Sequence, residues 1–190
     1  YEFVATPHIF RTEIWKQSGH LDYYKDYIFL FEAQGQGFGI KPMNCPGHIL
    51  IYNAKLHSYR ELPLRFFELG TVYRNEKSGV LHGLLRVRGF TQDDAHIFLR
   101  EDQLVEEIGR ILEFEFDVLR TFGFTEYEME LSTRPAKCIG SPAAWEHAES
   151  ALRQAMEARG LRFDVHEGEG AFYGPKIDIT IRDAVGRSWQ

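Results

Sequence analysis

Apolar positions recur along this chain with two periods, and the switch between them marks its elements. Over residues 102–122, Leu104, Ile108, Ile111, Leu112, Leu119 and Phe122 return at helical spacing, with acidic residues early and Gly123 as a stop. A second helix is predicted to open at Ser141 as cap, with Pro142 in its first turn. It runs through Trp145, Ala148, Leu152, Ala155 and Met156 to Gly160. A shorter helix is expected after Pro46, with Ile49, Tyr52 and Leu56 on its buried side. Strand-like runs occupy residues 1–5, 27–31, 37–41, 64–76, 86–99, 126–131, 162–166 and 175–182. The glycine-rich stretch from Gly35 to Gly39 precedes a strand rather than a helix, so it reads as a hairpin turn and not a phosphate loop. Strands joined by tight loops, with helices inserted as blocks, predict an α+β fold: a largely antiparallel sheet carrying helices on one face.

The alternation over residues 86–98 changes the picture from fold to chemistry. Side chains on a strand alternate between faces, so every second residue is a neighbour roughly 6.6–6.8 Å along. One face then holds Arg86, Arg88, Phe90, Gln92, Asp94, His96 and Phe98, while the other is mostly small or apolar and reads as a packing face. A plain solvent face would show Lys, Glu and Thr in no special order; this ordered set fits the floor of a polar ligand site better. Arg74 and Glu76, at the end of the preceding strand, share a face by the same rule, although alone they would read as a surface charge pair. Two antiparallel strands and a loop therefore gather Arg74, Glu76, Arg86, Phe90, Gln92, Asp94 and His96. Arginine can pair bidentately with phosphate and an aromatic ring can stack on a base, a combination that suits a nucleotide.

Composition bounds the rest. The 190 residues suffice for one well-cored domain, and neither a repeat nor a linker divides residues 1–190. At 44% hydrophobic and 14% aromatic, the chain is that of an ordinary globular protein. No stretch approaches the ~20 consecutive apolar residues of a membrane span, and the start lacks the layout of a signal peptide. Two cysteines, Cys45 and Cys138, make no disulfide framework, which points to a reducing, cytoplasmic location. The net charge of −6 offers no basic field, so RNA contact would rest on a local patch or on regions outside this chain. Cys45 and His96 are far apart in sequence and no C-x-x-C or H-x-x-x-H spacing occurs, so spacing does not argue for zinc. A lone Cys reads by default as a small buried residue.

Taken together, these residues resemble the class II aminoacyl-tRNA synthetases, the threonyl enzymes in particular. Thr6-Pro7 is similar to the end of motif 1, and Arg74-Asn75-Glu76 with residues 86–90 is similar to motif 2. Residues 41–48, 89–98 and 168–178 resemble segments peculiar to the threonyl enzyme. The resemblance implies an antiparallel sheet flanked by helices. It also implies one partial catalytic domain over residues 1–190, incomplete at its C-terminal end because motif 3 and the third zinc ligand would follow Gln190. The implied reaction activates threonine with ATP and Mg2+ to threonyl-adenylate, then transfers it to tRNA(Thr).

Residue by residue, the resemblance gives Arg74 the α-phosphate, Arg86 the outer phosphates, Phe90 the adenine ring and Glu76 the adenine amino group, with Gln190 near the nucleotide. It makes Cys45 and His96 two ligands of one zinc ion per chain. Asp94 would accept from the threonine hydroxyl, with Met43, Gln92 and Tyr173 around the amino acid. His20 matches a histidine that assists proton movement during transfer to tRNA, though a histidine near a helix end can equally be a cap or surface group. Cys138 matches nothing functional and reads as structural. A homodimer is implied for the full-length protein, and this fragment alone is expected to be inactive. The alternative is a catalytically inactive synthetase-like module that binds a partner or regulates.

Overall fold

A computed structural model describes residues 1–190. In the first hundred residues, strands β1 (Glu2–Phe3) and β2 (Ile9–Arg11) precede two short helices, α1 (Thr12–Gln17) and α2 (His20–Tyr23). The hairpin β3 (Leu30–Ala33) and β4 (Gln36–Ile40) follows, then helix α3 (Cys45–Asn53) and the long strands β5 (Leu64–Tyr73) and β6 (Gly89–Phe98). Gln34 and Gly35 both adopt positive φ between the paired Ala33 and Gln36, so the glycine-rich stretch is the two-residue hairpin turn its sequence predicts. Strands β2, β4 and β3 form one sheet, and β1, β5 and β6 another. Trp15 of α1 is fully buried against Gly39 of β4, where any Cβ would collide with the indole.

Strands β5 and β6 pair antiparallel over their full length, from Leu64 opposite Phe98 to Tyr73 opposite Gly89. Even-numbered positions of both strands therefore share one face. On it lie Phe66, Glu68 and Val72, all buried, opposite His96, Asp94 and Phe90. The sequence assigned packing to the odd face of β6, and here the structure differs: Gly89, Thr91, Asp93 and Ala95 are exposed, while the polar even face is half-buried. Polar groups line the interior side because they have partners there, as the site described below makes plain.

Helix α3 corrects a second expectation. Its buried side is Pro46, Gly47 and His48; Ile49 is 44% exposed, and Leu56, beyond the end of the helix, is 99% exposed. Only Tyr52 behaves as expected, stacking on Phe98 with ring centroids 4.2 Å apart. A search for apolar periodicity selects the wrong side because the buried residues include a glycine in close backbone approach and a histidine bonded to the buried Glu68. A Cβ on Gly47 would collide with Thr6, so the backbones approach closely there.

Residues 1–100 form one compact unit, and residues beyond Arg100 form a second, Glu101–Gln190. The second contains α4 (Leu104–Thr121), β7 (Tyr127–Ser132), α5 (Pro142–Glu157), β8 (Asp164–His166), β9 (Lys176–Arg182) and β10 (Ser188–Trp189), with sheet order β10-β9-β7-β8. Both helices cover one face of this sheet. Ile108, Leu112, Ala151, Ala155 and Met156 pack with Met129 and Leu131 of β7, and Ile177 and Ile179 of β9 join them. Burying a side chain such as Leu112 or Leu131 contributes about 1.5–3 kcal/mol. Ser141 caps α5 as its sequence predicts, accepting a hydrogen bond from the Ala144 N–H at 3.2 Å. Phe122 departs from the predicted stripe and is 75% exposed: α4 ends at Thr121, and Gly123, at φ 85°, turns the chain away. The result is the α+β, antiparallel-rich architecture expected, distributed over three sheets, with parallel pairing only at β1–β5 and β7–β8.

Candidate functional site

The even face of β5–β6, the loop between them and the start of α3 make one polar site in the first unit. Arg74 follows β5 directly; its guanidinium lies 5.1 Å over the Phe90 ring, and its Nε donates to the Pro42 carbonyl at 3.2 Å. Glu76 is buried and accepts from Arg86 at 3.2 Å, and its backbone carbonyl accepts from Arg88 Nε at 2.9 Å. The charge pairing is thus Glu76 with Arg86, and Arg74 is left facing the ring. Arg86 is itself more than half exposed, a guanidinium able to leave its partner for a ligand.

Two residues further along this face, Gln92 lies opposite Gly70 and Asp94 opposite Glu68. Asn44, almost wholly buried just before α3, donates its Nδ2 to Asp94 Oδ2 at 3.0 Å. Cys45 opens the helix. Burial raises its thiol pKa to about 12, with the Asp94 charge adding to the effect. Burial also holds His96 below the ordinary imidazole range, against the opposing pull of the Asp94 carboxylate. His20 is buried rather than capping or exposed. Its ring packs edge-on against Trp15, its Nδ1 lies 2.8 Å from Ser18 Oγ and its Nε2 lies 3.4 Å from Met43 Sδ. Burial keeps its pKa down as well.

Beneath the site lies a group that sequence reasoning missed. Glu68 Oε1 accepts from Lys41 Nζ at 3.0 Å and from the Thr6 N–H at 3.0 Å, while Oε2 is 2.9 Å from His48 Nε2. Burial alone would raise the Glu68 carboxyl, but these donors, with the Thr6 hydroxyl, outweigh it and bring it down to about 2. His48 Nδ1 in turn lies 2.9 Å from His96 Nδ1. One signal for this group was available: Glu68 is a carboxylate among Leu64, Phe66, Gly70 and Val72 on an otherwise apolar face, and a buried charge requires partners.

Arg74, Glu76, Arg86, Phe90, Gln92, Asp94 and His96 thus share one strand pair and its loop, with Met43, Cys45 and His20 on neighbouring elements of the same unit. Tyr173 and Gln190 belong to the second unit. Tyr173 is exposed in the turn closed by the Ala171–Gly174 bridge, and Gln190 lines an open polar cavity of about 540 Å³ with Ser132, His166, Lys176 and Asp178. No three His, Cys, Asp or Glu side chains are arranged to hold a metal ion. A half-buried thiol and a neutral imidazole are nonetheless donors that suit zinc, and a cation beside Cys45 would favour the thiolate that its surroundings now disfavour. No helix is long and apolar enough to cross a membrane.

Over all 190 residues the chain is 62% identical to a protein of Syntrophotalea carbinolica named threonine–tRNA ligase. It is 59% identical over 191 aligned positions to one of the same name from Magnetococcus marinus. The chain is covered completely in both but spans only 30% of the length of each relative. A crystal structure described as the RNA binding domain of threonyl-tRNA synthetase from Cryptosporidium parvum superposes with a TM-score of 0.97 at 45% identity. It covers the whole of this chain and 47% of its own. Residues 29–190 match the family model of the tRNA synthetase class II core domain (G, H, P, S and T), and the chain belongs to that family.

Proposed function

We propose that this chain is the activating part of a threonine–tRNA ligase, joining threonine to ATP as threonyl-adenylate and passing it to the 3′ end of tRNA(Thr). The observation that carries the reading is the single β5–β6 face on which Arg74 overlies Phe90 while Asp94, held by Asn44, stands two residues from His96. Relatives of 56–62% identity bearing that name support it.

In this reading adenine stacks on Phe90 with Glu76 near its amino group. Arg74 holds the α-phosphate, and Arg86 exchanges Glu76 for the outer phosphates, whose charge Mg2+ would help to neutralise. The threonine carboxylate attacks the α-phosphorus and pyrophosphate leaves. The carboxylate is already a nucleophile, so no general base is needed at this step. The chain's contribution is alignment and stabilisation of phosphate charge by guanidinium groups. Asp94 accepts from the threonine hydroxyl, with Gln92 and Met43 around the amino acid. Cys45 and His96 would hold zinc together with a ligand from outside these residues. When bound, the ion supplies a Lewis-acid contact for the threonine amino and hydroxyl groups. His20 assists proton movement in the transfer step, and the working enzyme is a cytoplasmic homodimer.

The test is threonine-dependent ATP–pyrophosphate exchange by the full-length protein. Exchange that requires threonine, and falls on the order of 10²-fold or more in Arg74→Ala, is expected for loss of a transition-state charge contact. Absence of threonine-dependent exchange would make the protein an inactive synthetase-like module instead.

A further inference from the structure

The buried row Lys41–Glu68–His48–His96 has a direction that its geometry dictates. Glu68 is 4% exposed and His48 and Lys41 are fully buried, so each polar atom in the row must be satisfied by its neighbour. Glu68 Oε1 takes donors from Lys41 and Thr6, and Oε2 faces His48 Nε2 at 2.9 Å. An ionised carboxylate only accepts, so the proton in that contact sits on His48 Nε2. If His48 carries only that one proton, its Nδ1 is an acceptor. Its partner at 2.9 Å, His96 Nδ1, must then be the donor. The lone pair of neutral His96 is left on Nε2.

We propose that Glu68 and His48 are positioning residues that fix the tautomer of His96, holding its proton on Nδ1 and presenting Nε2 as the electron-pair donor. A histidine that ligates a metal commonly donates its other ring N–H to an acceptor, which fixes the ring and raises its basicity. Here the acceptor is a second histidine that relays the constraint from a buried carboxylate. The ligand role of His96 rests on the function proposed above; the tautomer does not. One other group faces the same atom: Asp94 Oδ1, 3.9 Å from His96 Nδ1, too far for a hydrogen bond.

An isosteric change separates the two. In Glu68→Gln the amide oxygen should take the Oε1 place, where Lys41 and the Thr6 N–H donate, and the NH2 should face His48 Nε2. His48 would then carry its proton on Nδ1 and donate to His96, reversing the row and moving the His96 proton to Nε2. Ring-nitrogen NMR of the zinc-free full-length protein at about pH 8, where an ordinary imidazole of pKa ≈ 6.5 is neutral, reads this directly. Wild-type His96 should be mainly the Nδ1–H form and Glu68→Gln mainly the Nε2–H form. Wild-type His96 found as Nε2–H overturns the proposal with no variant needed, and Nδ1–H retained in a folded Glu68→Gln protein assigns the tautomer to Asp94 and overturns it equally. In the full-length protein, chelator competition should show zinc held 10–100-fold more weakly in Glu68→Gln, the usual effect of losing such a partner. Zinc affinity unchanged in His96→Ala would defeat the metal reading alone, because the NMR result decides the relay independently.

Discussion

Gly70 and Asn44 share one space: the Asn44 amide lies where a side chain on Gly70 would be, and a Cβ built there would overlap it. That amide holds Asp94 through its Nδ2, while its Oδ1 is buried without a protein partner. A glycine in the middle of β5 is therefore tied to the aim of a carboxylate on β6.

Gly70→Ala should displace Asn44 and release Asp94. The threonine KM in pyrophosphate exchange should rise on the order of 10–100-fold, the loss of about 1–3 kcal/mol expected when a charged hydrogen bond is broken. The ATP KM should stay within about twofold, since Arg74 and Phe90 are untouched. Asn44→Ala should reproduce the effect, and a normal threonine KM in both variants would remove Asn44 from the site.

Acid should expose the buried Glu68. Its folded pKa of about 2 lies below the ordinary 4.5, so the unfolded chain takes up the proton first. The carboxylate's contribution is complete above pH 4.5 and is lost as pH falls toward 2. Denaturant unfolding of wild type and Glu68→Gln, compared across that window, should show their difference in stability shrink by up to about 3 kcal/mol. A difference independent of pH would mean that the donors around Glu68 do not favour its charged form.

Period-two alternation made the β5–β6 face legible in advance, because register turns sequence parity into a shared surface: Arg74, Phe90, Gln92, Asp94 and His96 follow from it. The buried side of α3 was not legible. Its packing partners are the Thr6 methyl, the Phe10 ring and the Glu68 carboxylate, distant in sequence, so Ile49 and Leu56 misled where Gly47 and His48 do the packing. The Gly70–Asn44 and His48–Glu68 contacts likewise join segments about twenty or more residues apart, and no local pattern announces them. Cys45 entered by resemblance alone. The structure adds only that it begins a helix beside Asp94 in a pocket that opposes an unpaired thiolate.

Metal content of the full-length protein tests Cys45. About one zinc per chain is expected, and Cys45→Ser should lose it, since a hydroxyl is a far poorer zinc donor than a thiolate. Zinc retained in Cys45→Ser would return that residue to the ordinary class of buried thiols.

A pocket that reads the threonine hydroxyl should sort threonine, serine and valine by their rates of ATP–pyrophosphate exchange with the full-length protein. Valine matches threonine in shape but lacks the hydroxyl, and a site built around Asp94 and Gln92 would leave polar groups unpaired on binding it. Discrimination of roughly 10⁴ or more is expected of such sites. Serine keeps the hydroxyl and loses one methyl, worth about 1–3 kcal/mol, so it should be activated measurably. The expected order is threonine, then serine, with valine far behind, and Asp94→Ala should damage threonine activation strongly. Valine activated as well as serine would contradict the hydroxyl-reading site assigned to Asp94, Cys45 and His96.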